Sequence, residues 1–122
     1  LKALKEQGRV TAILSNGSPD MLKGAVEAAG IGDLLDAVLS VETVGVFKPD
    51  PAVYALVGEH FGCPRREVLF VSSNGWDACA AAGFGFRAVW ANRGGEPVDR
   101  LPWRPQHIVS DLTAIPGIAA AA

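Results

Sequence analysis

The sequence predicts an α/β protein built on a Rossmann-like parallel sheet flanked by helices, and three observations carry that expectation. Short apolar runs alternate with segments of helical length along the 122 residues, the mark of repeated βαβ units. Two of the helical segments open on the same signal, a capping side chain followed by proline, at Ser18-Pro19 and Asp50-Pro51. Finally, Val68 to Val71 (VLFV) is continuously apolar, as a strand buried on both faces of a parallel sheet is expected to be.

The elements follow in chain order. Leu1 to Arg9 (LKALKEQGR) reads as the end of an exposed helix closed by Gly8, and without an initial Met this is an uncommon place for a domain to start. Val10 to Leu14 (VTAIL) is a strand, and the helix capped by Ser18 runs to Ala29 before Gly30 stops it. Ala37 to Val41 is the next strand. The helix opened by Asp50-Pro51 continues through Phe61, with Val53, Leu56, Val57 and Phe61 on one face, and ends at Gly62. Val68 to Val71 is expected at the centre of the sheet, followed by a polar loop, Ser72-Ser73-Asn74, and a helix from Gly75 to about Ala82. Arg87 to Trp90 is a further strand. The Gly/Pro/Arg-rich stretch 92–105 reads as a loop, His107 to Val109 as a last strand, and the end as a short helix containing a proline, with Ile118 to Ala122 as a frayed tail.

Composition bounds the function. A hydrophobic content of 49% over this length suits a single α/β domain spanning 1–122. The formal charge of −2 arises from 11 basic and 13 acidic residues with no basic run, so a nucleic-acid partner is not expected. Apolar runs are too short for a membrane span and no signal peptide opens the chain, so a soluble cytoplasmic protein is expected. Cys63 and Cys79 lack the clustering of a metal or redox site and read as structural.

In open α/β sheets ligands bind outside the carboxyl ends of the strands, so the residues just after each strand are the informative ones. Three polar clusters occupy those places: Ser15-Asn16-Gly17-Ser18-Pro19, Phe47-Lys48-Pro49-Asp50-Pro51-Ala52-Val53-Tyr54, and Ser72-Ser73-Asn74-Gly75-Trp76-Asp77. Singly, each has an ordinary explanation as a helix cap, a solvated lysine or a dipole partner. Together they place a Lys, an Asp, two amides and several hydroxyls at strand ends, a composition suited to an anionic substrate.

These clusters resemble the haloacid dehalogenase superfamily, and within it the 2-haloacid dehalogenases, over essentially the whole chain. Leu14 to Pro19 (LSNGSP) is similar to the second motif, Phe47 to Tyr54 (FKPDPAVY) to the third, and Phe70 to Asp77 (FVSSNGWD) to the fourth. Phosphatases of the superfamily carry a Gly-Asp-x-x-x-Asp pattern at the last position, whose carboxylates hold Mg²⁺. Here Ser72-Ser73 stands in place of Gly-Asp, which favours the branch without a metal or other cofactor.

The resemblance implies a two-step reaction. An Asp carboxylate displaces halide from the α-carbon of an L-2-haloalkanoate with inversion, and water then hydrolyses the ester. In the family that Asp belongs to an Asp-x-x-Gly-Thr-like first motif and the halide-holding Arg to the N-terminal region and cap. Neither is expected here, and Asp20, Asp33, Asp36 and Asp50 stand in other contexts. By the same resemblance, Lys48 pairs with the nucleophilic carboxylate. Ser15 binds the substrate carboxylate, Asn16 donates to the departing halide and Trp76 walls the halide pocket. Ser72, Asn74 and Asp77 arrange ester hydrolysis, with Asp77 activating water, and Tyr54 joins their network. Trp90, Asn92 and Arg93 receive no role, and His60 and His107 read as surface residues. Relatives are commonly dimers, so a homodimer is an expectation of the resemblance. A superfamily phosphatase and a non-catalytic remnant are the competing readings. Because the family's first strand lies between those equivalent to Val10–Leu14 and Val68–Val71, a chain without it should leave both strands short of a partner, or close them on each other or on another molecule. Such a chain is expected to be inactive by itself.

Overall fold

Capping chemistry sets the helix boundaries of the computed structural model, which describes residues 1–95 and 103–120. The described chain runs α1 (Lys2–Glu6), β1 (Ala12–Ser15), α2 (Pro19–Ala29), β2 (Ala37–Ser40), α3 (Pro51–Phe61), β3 (Leu69–Ser72), α4 (Gly75–Phe84), β4 (Arg87–Ala91), β5 (His107–Val109) and α5 (Ile115–Ala120). Ser18 caps α2 by accepting the Met21 N–H, and Gly30 ends the helix in the left-handed region at φ 66°, where a side chain would be strained. At α3 the Asp50 carboxylate accepts the Ala52 N–H at 2.9 Å. The loop expected over 92–105 lies in part, at 96–102, outside the described residues, as do positions 121–122 of the tail. Among the described residues no helix is long and apolar enough to cross a membrane.

The chain forms two compact units, Leu1–Val57 and Gly58–Ala122, with the division inside α3. In the first, β1 and β2 make a two-stranded parallel sheet, Ala12 facing Ala37 and Ser15 facing Ser40, with α2 packed on β2. In the second, β3, β4 and β5 make a three-stranded parallel sheet in that order. Its core is dense, with Ala78, Ala81, Ala88 and Val89 all at 0% exposure. The small side chains on one face of α4 let it approach β3 and β4 closely.

Three details differ from the sequence expectation. β3 has a partner on one side only among the described residues, the outcome expected without the family's first strand rather than the central place its apolar run suggests, and only its Phe70 is buried. The central strand is β4, buried from Ala88 to Ala91 because it has a strand on both sides. Second, β1 and β3 each start later than expected and extend to a terminal serine, since the parallel register continues to Ser15–Ser40 and Ser72–Trp90. The third concerns Val41, expected at the end of β2. It begins a 3₁₀ turn, Val41–Thr43, because the Ser40 hydroxyl accepts the Glu42 N–H. Among the described residues β1 pairs only with β2 and β3 only with β4, so each is an outer strand and no sheet contains both.

At the amino end of the first sheet a polar clip ties α1 to both strands. The Asp36 carboxylate accepts from Lys5 Nζ at 2.6 Å and from the Thr11 N–H at 2.7 Å. The Lys5 hydrogen bond, then that of Thr11, hold the Asp36 carboxyl below its ordinary 3.8. With the folded value below the unfolded one, the unfolded chain binds more protons in between. The clip therefore contributes fully above the unfolded pKa and is lost as pH falls through the depressed folded one. We expect Asp36→Asn to lower the thermal midpoint near neutral pH, and the gap between variant and parent to close as pH falls through the depressed Asp36 pKa, below the ordinary 3.8. A gap that stays constant from pH 7 to pH 2 would show that the carboxylate charge is not what stabilises this corner.

Candidate active site

Both outer strands end in a serine, and both serines make the same turn. The Ser15 hydroxyl oxygen accepts the Gly17 N–H at 3.0 Å, and that of Ser72 accepts the Asn74 N–H at 3.1 Å. Each bond satisfies an N–H that a chain leaving a strand would otherwise expose. The turns differ in where the hydroxyl proton goes. Ser72 donates to Asp77 Oδ2 at 2.8 Å.

In the first unit, the turn after β1 meets the loop that carries Lys48. The Lys48 backbone N–H donates to Asn16 Oδ1 at 2.9 Å. Only the amide oxygen can accept that proton, so the Asn16 NH₂ is turned the opposite way, as a donor. Asn16 is exposed, whereas Ser15 and Lys48 are half-buried. The structure thus joins the Lys48 backbone to Asn16, and Ser15 lies in the same turn as Asn16. Tyr54 lies on α3 at 1% exposure.

One more side chain holds this turn. Ser40, the last residue of β2, is 6% exposed and donates from its hydroxyl to the Gly17 carbonyl at 2.7 Å. The available signal is a lone hydroxyl ending an otherwise apolar strand (AVLS).

In the second unit, Asp77 is buried at 4% exposure in the first turn of α4. Helix N–H groups favour negative charge there, and the Ser72 hydroxyl supplies a direct donor. Asn74 precedes the helix as its N-cap, without a side-chain cap bond. Trp76 stands 39% exposed beside it. Trp90, which had no expected role, faces Ser72 in the register and donates from its indole Nε1–H to the Ser73 carbonyl at 3.2 Å. His60 and His107 are exposed. Cys79 is a buried free thiol and Cys63 a half-buried one.

A shallow groove of about 440 Å³ between α2 and β2 is walled mainly by Leu22, Val26, Val38 and Leu39 and includes none of Ser15, Asn16 or Lys48. The polar strand ends, not this groove, are the candidate site.

In each unit polar side chains are presented at the carboxyl ends of parallel strands, the place where open α/β folds bind their ligands. The chain belongs to the haloacid dehalogenase-like hydrolases, whose family model matches residues 1–85. It is 44% identical over 115 residues to an (S)-2-haloacid dehalogenase of Pseudomonas sp. (strain YL), covering 94% of this chain and 50% of that protein. The crystal structure of an L-2-haloacid dehalogenase matches with a TM-score of 0.94 at 44% identity, over 98% of this chain and 52% of the other. The L-2-haloacid dehalogenase of Xanthobacter autotrophicus with chloropropionic acid covalently bound matches at a TM-score of 0.85 and 36% identity, over 98% of this chain and 58% of that one. The chain spans about half the length of the curated relatives it matches.

The Ser72–Asp77 bond yields a stability test. Ser72→Ala removes a donor from a buried carboxylate, a loss of about 1–3 kcal/mol, whereas Ser72→Thr retains the hydroxyl. Chemical denaturation of the two variants should separate them by that amount. Equal stabilities would show that Asp77 does not depend on this donor.

Proposed function

We propose that the protein to which this chain belongs hydrolyses L-2-haloacids to D-2-hydroxyacids through an aspartyl-ester intermediate. The observation that carries the reading is the third cluster, where Ser72 and Ser73 stand in place of the Gly-Asp of metal-dependent phosphatases and Ser72 bonds Asp77. The names of the most similar relatives support it, and the covalently bound chloropropionic acid of the Xanthobacter enzyme supports the ester step. No Asp-x-x-Gly-Thr-like motif occurs among the 122 residues. The nucleophilic Asp and the halide-holding Arg are accordingly taken to come from elsewhere in the protein, and the 122 residues alone to be inactive. Residues 1–122 are read as one partial core domain, an assignment supported by a family match that crosses the division at Val57.

In the first step a carboxylate oxygen attacks Cα, and halide leaves with the electrons of the C–X bond. Lys48 holds that carboxylate charged and oriented. Ser15 donates to the substrate carboxylate, and the Asn16 NH₂, turned outward by the Lys48 N–H, donates to the halide as its charge develops. Trp76 offers its exposed ring as an apolar wall for the halide. In the second step water attacks the ester carbonyl carbon, the C–O bond to the hydroxyacid breaks and the carboxylate is regenerated. Asp77 takes the proton of that water, held by Ser72 on its other side, while Asn74 and Tyr54 orient the ester. The same reading makes the protein a cytoplasmic homodimer with a 2-haloalkanoate as its small-molecule substrate and neither nucleic acid nor membrane as partner.

The competing reading is a superfamily phosphatase. In the intact protein, we expect chloride release from L-2-chloropropionate to persist in EDTA, with no Mg²⁺-dependent phosphatase activity; the reverse pattern would move the protein to the phosphatases. Lys48→Ala and Asp77→Asn should each lower halide release about 10²-fold or more. Near-normal release by either variant would remove that residue from the scheme.

A further inference from the structure

We propose that Ser40 is a positioning residue that aims the Asn16 amide, an inference that rests on the dehalogenase reading above. Four hydrogen bonds converge on the short turn after β1. Ser15 Oγ accepts the Gly17 N–H at 3.0 Å, and Ser18 Oγ accepts the Met21 N–H at 3.2 Å. Asn16 Oδ1 accepts the Lys48 N–H at 2.9 Å, and the Gly17 carbonyl accepts the Ser40 hydroxyl at 2.7 Å. The first two are made within the turn and its helix. The other two come from outside, and they grip adjacent residues: Lys48 takes the Asn16 side chain and Ser40 takes the next peptide.

Ser40 is suited to this. It is nearly buried, it closes a strand in register with Ser15, and its oxygen also accepts the Glu42 N–H at 3.2 Å. That second bond fixes the hydroxyl rotor, so the proton points at Gly17 and nowhere else. Gly17 fits tightly: a Cβ there would lie 3.2 Å from Leu22 Cδ2 and 3.4 Å from Ser15 Oγ, so the turn has little room to settle elsewhere while all four bonds hold. With Ser40 removed, the Gly17 carbonyl loses its donor and the Gly17–Ser18 peptide can rotate, which loosens the turn just beyond Asn16. The Asn16 NH₂ can then drift within the play left by the Lys48 N–H and the Ser15–Gly17 bond. A donor aimed at a departing halide is sensitive to that, since misplacement by about 1 Å can cost up to 10²-fold in rate.

The test is a double-mutant cycle in the intact protein, measuring kcat for halide release from L-2-chloropropionate and L-2-bromopropionate. Chloride is the poorer leaving group and draws more on a donor at the halide. Ser40→Ala should therefore lower kcat about 10-fold on the chloro substrate and distinctly less on the bromo one, while Ser40→Thr restores both. In an Asn16→Ala background the same Ser40→Ala change should cost no more than about 2-fold. Losses that multiply in the double variant, or an equal loss on both substrates, would overturn the positioning role while leaving the dehalogenase reading intact. Normal halide release by Asn16→Ala would overturn the role of Asn16 and this inference with it. Should Ser40→Ala fail to fold, Ser40→Cys, which keeps the volume but weakens the donor, carries the same comparison.

Discussion

Parallel strand register is the constraint on which the rest of this structure depends. Because paired parallel strands end on the same side, each pair delivers two outgoing loops to one edge, and the residue opposite a strand's last position can reach the neighbouring loop. Both units use this. Ser40 faces Ser15 and bonds the Gly17 carbonyl, and Trp90 faces Ser72 and bonds the Ser73 carbonyl. A one-residue slip in either sheet would turn that partner to the opposite face, and the loop beside it would lose its brace.

Against this shared frame, the two terminal serines are put to different chemistry. The Ser72 proton is committed to Asp77, so the third cluster contains a hydroxyl–carboxylate pair. In the phosphatase pattern the second carboxylate stands at the position of Ser73, where two carboxylates would repel one another until a cation joined them. A hydroxyl at that position removes the repulsion and the demand for a cation together.

The sequence made the helices, their caps and the polar strand ends readable because each depends on local chemistry. Ser18-Pro19 and Asp50-Pro51 name helix starts without reference to anything distant, and α2 and α3 end where Gly30 and Gly62 place them. Strand order was harder. VLFV is as apolar as a central strand, yet among the described residues it has a partner on one side only, as expected without the family's first strand, while β4, whose sequence RAVWA advertises it less, has two. The braces made by Ser40 and Trp90 are illegible in the sequence for a related reason: each bonds a residue remote in sequence, and only the register shows which one. Asp36, set aside as a nucleophile from its context, lies at the amino end of its sheet, occupied with Lys5 and Thr11.

The indole of Trp90 also gives the molecule an optical property. Of the three tryptophans among the 122 residues, Trp76 and Trp103 are 39% and 54% exposed, while Trp90 is 2% exposed and donates its N–H to the loop that begins the third cluster. Enclosed in this way, its indole is expected to emit to the blue of the two more exposed rings and to respond to the polarity around one backbone carbonyl. Excitation at the red edge and collisional quenchers act first on the exposed pair, so the residual signal is that of Trp90. The protein thereby contains a native fluorophore that reports on the Ser73 peptide without any label.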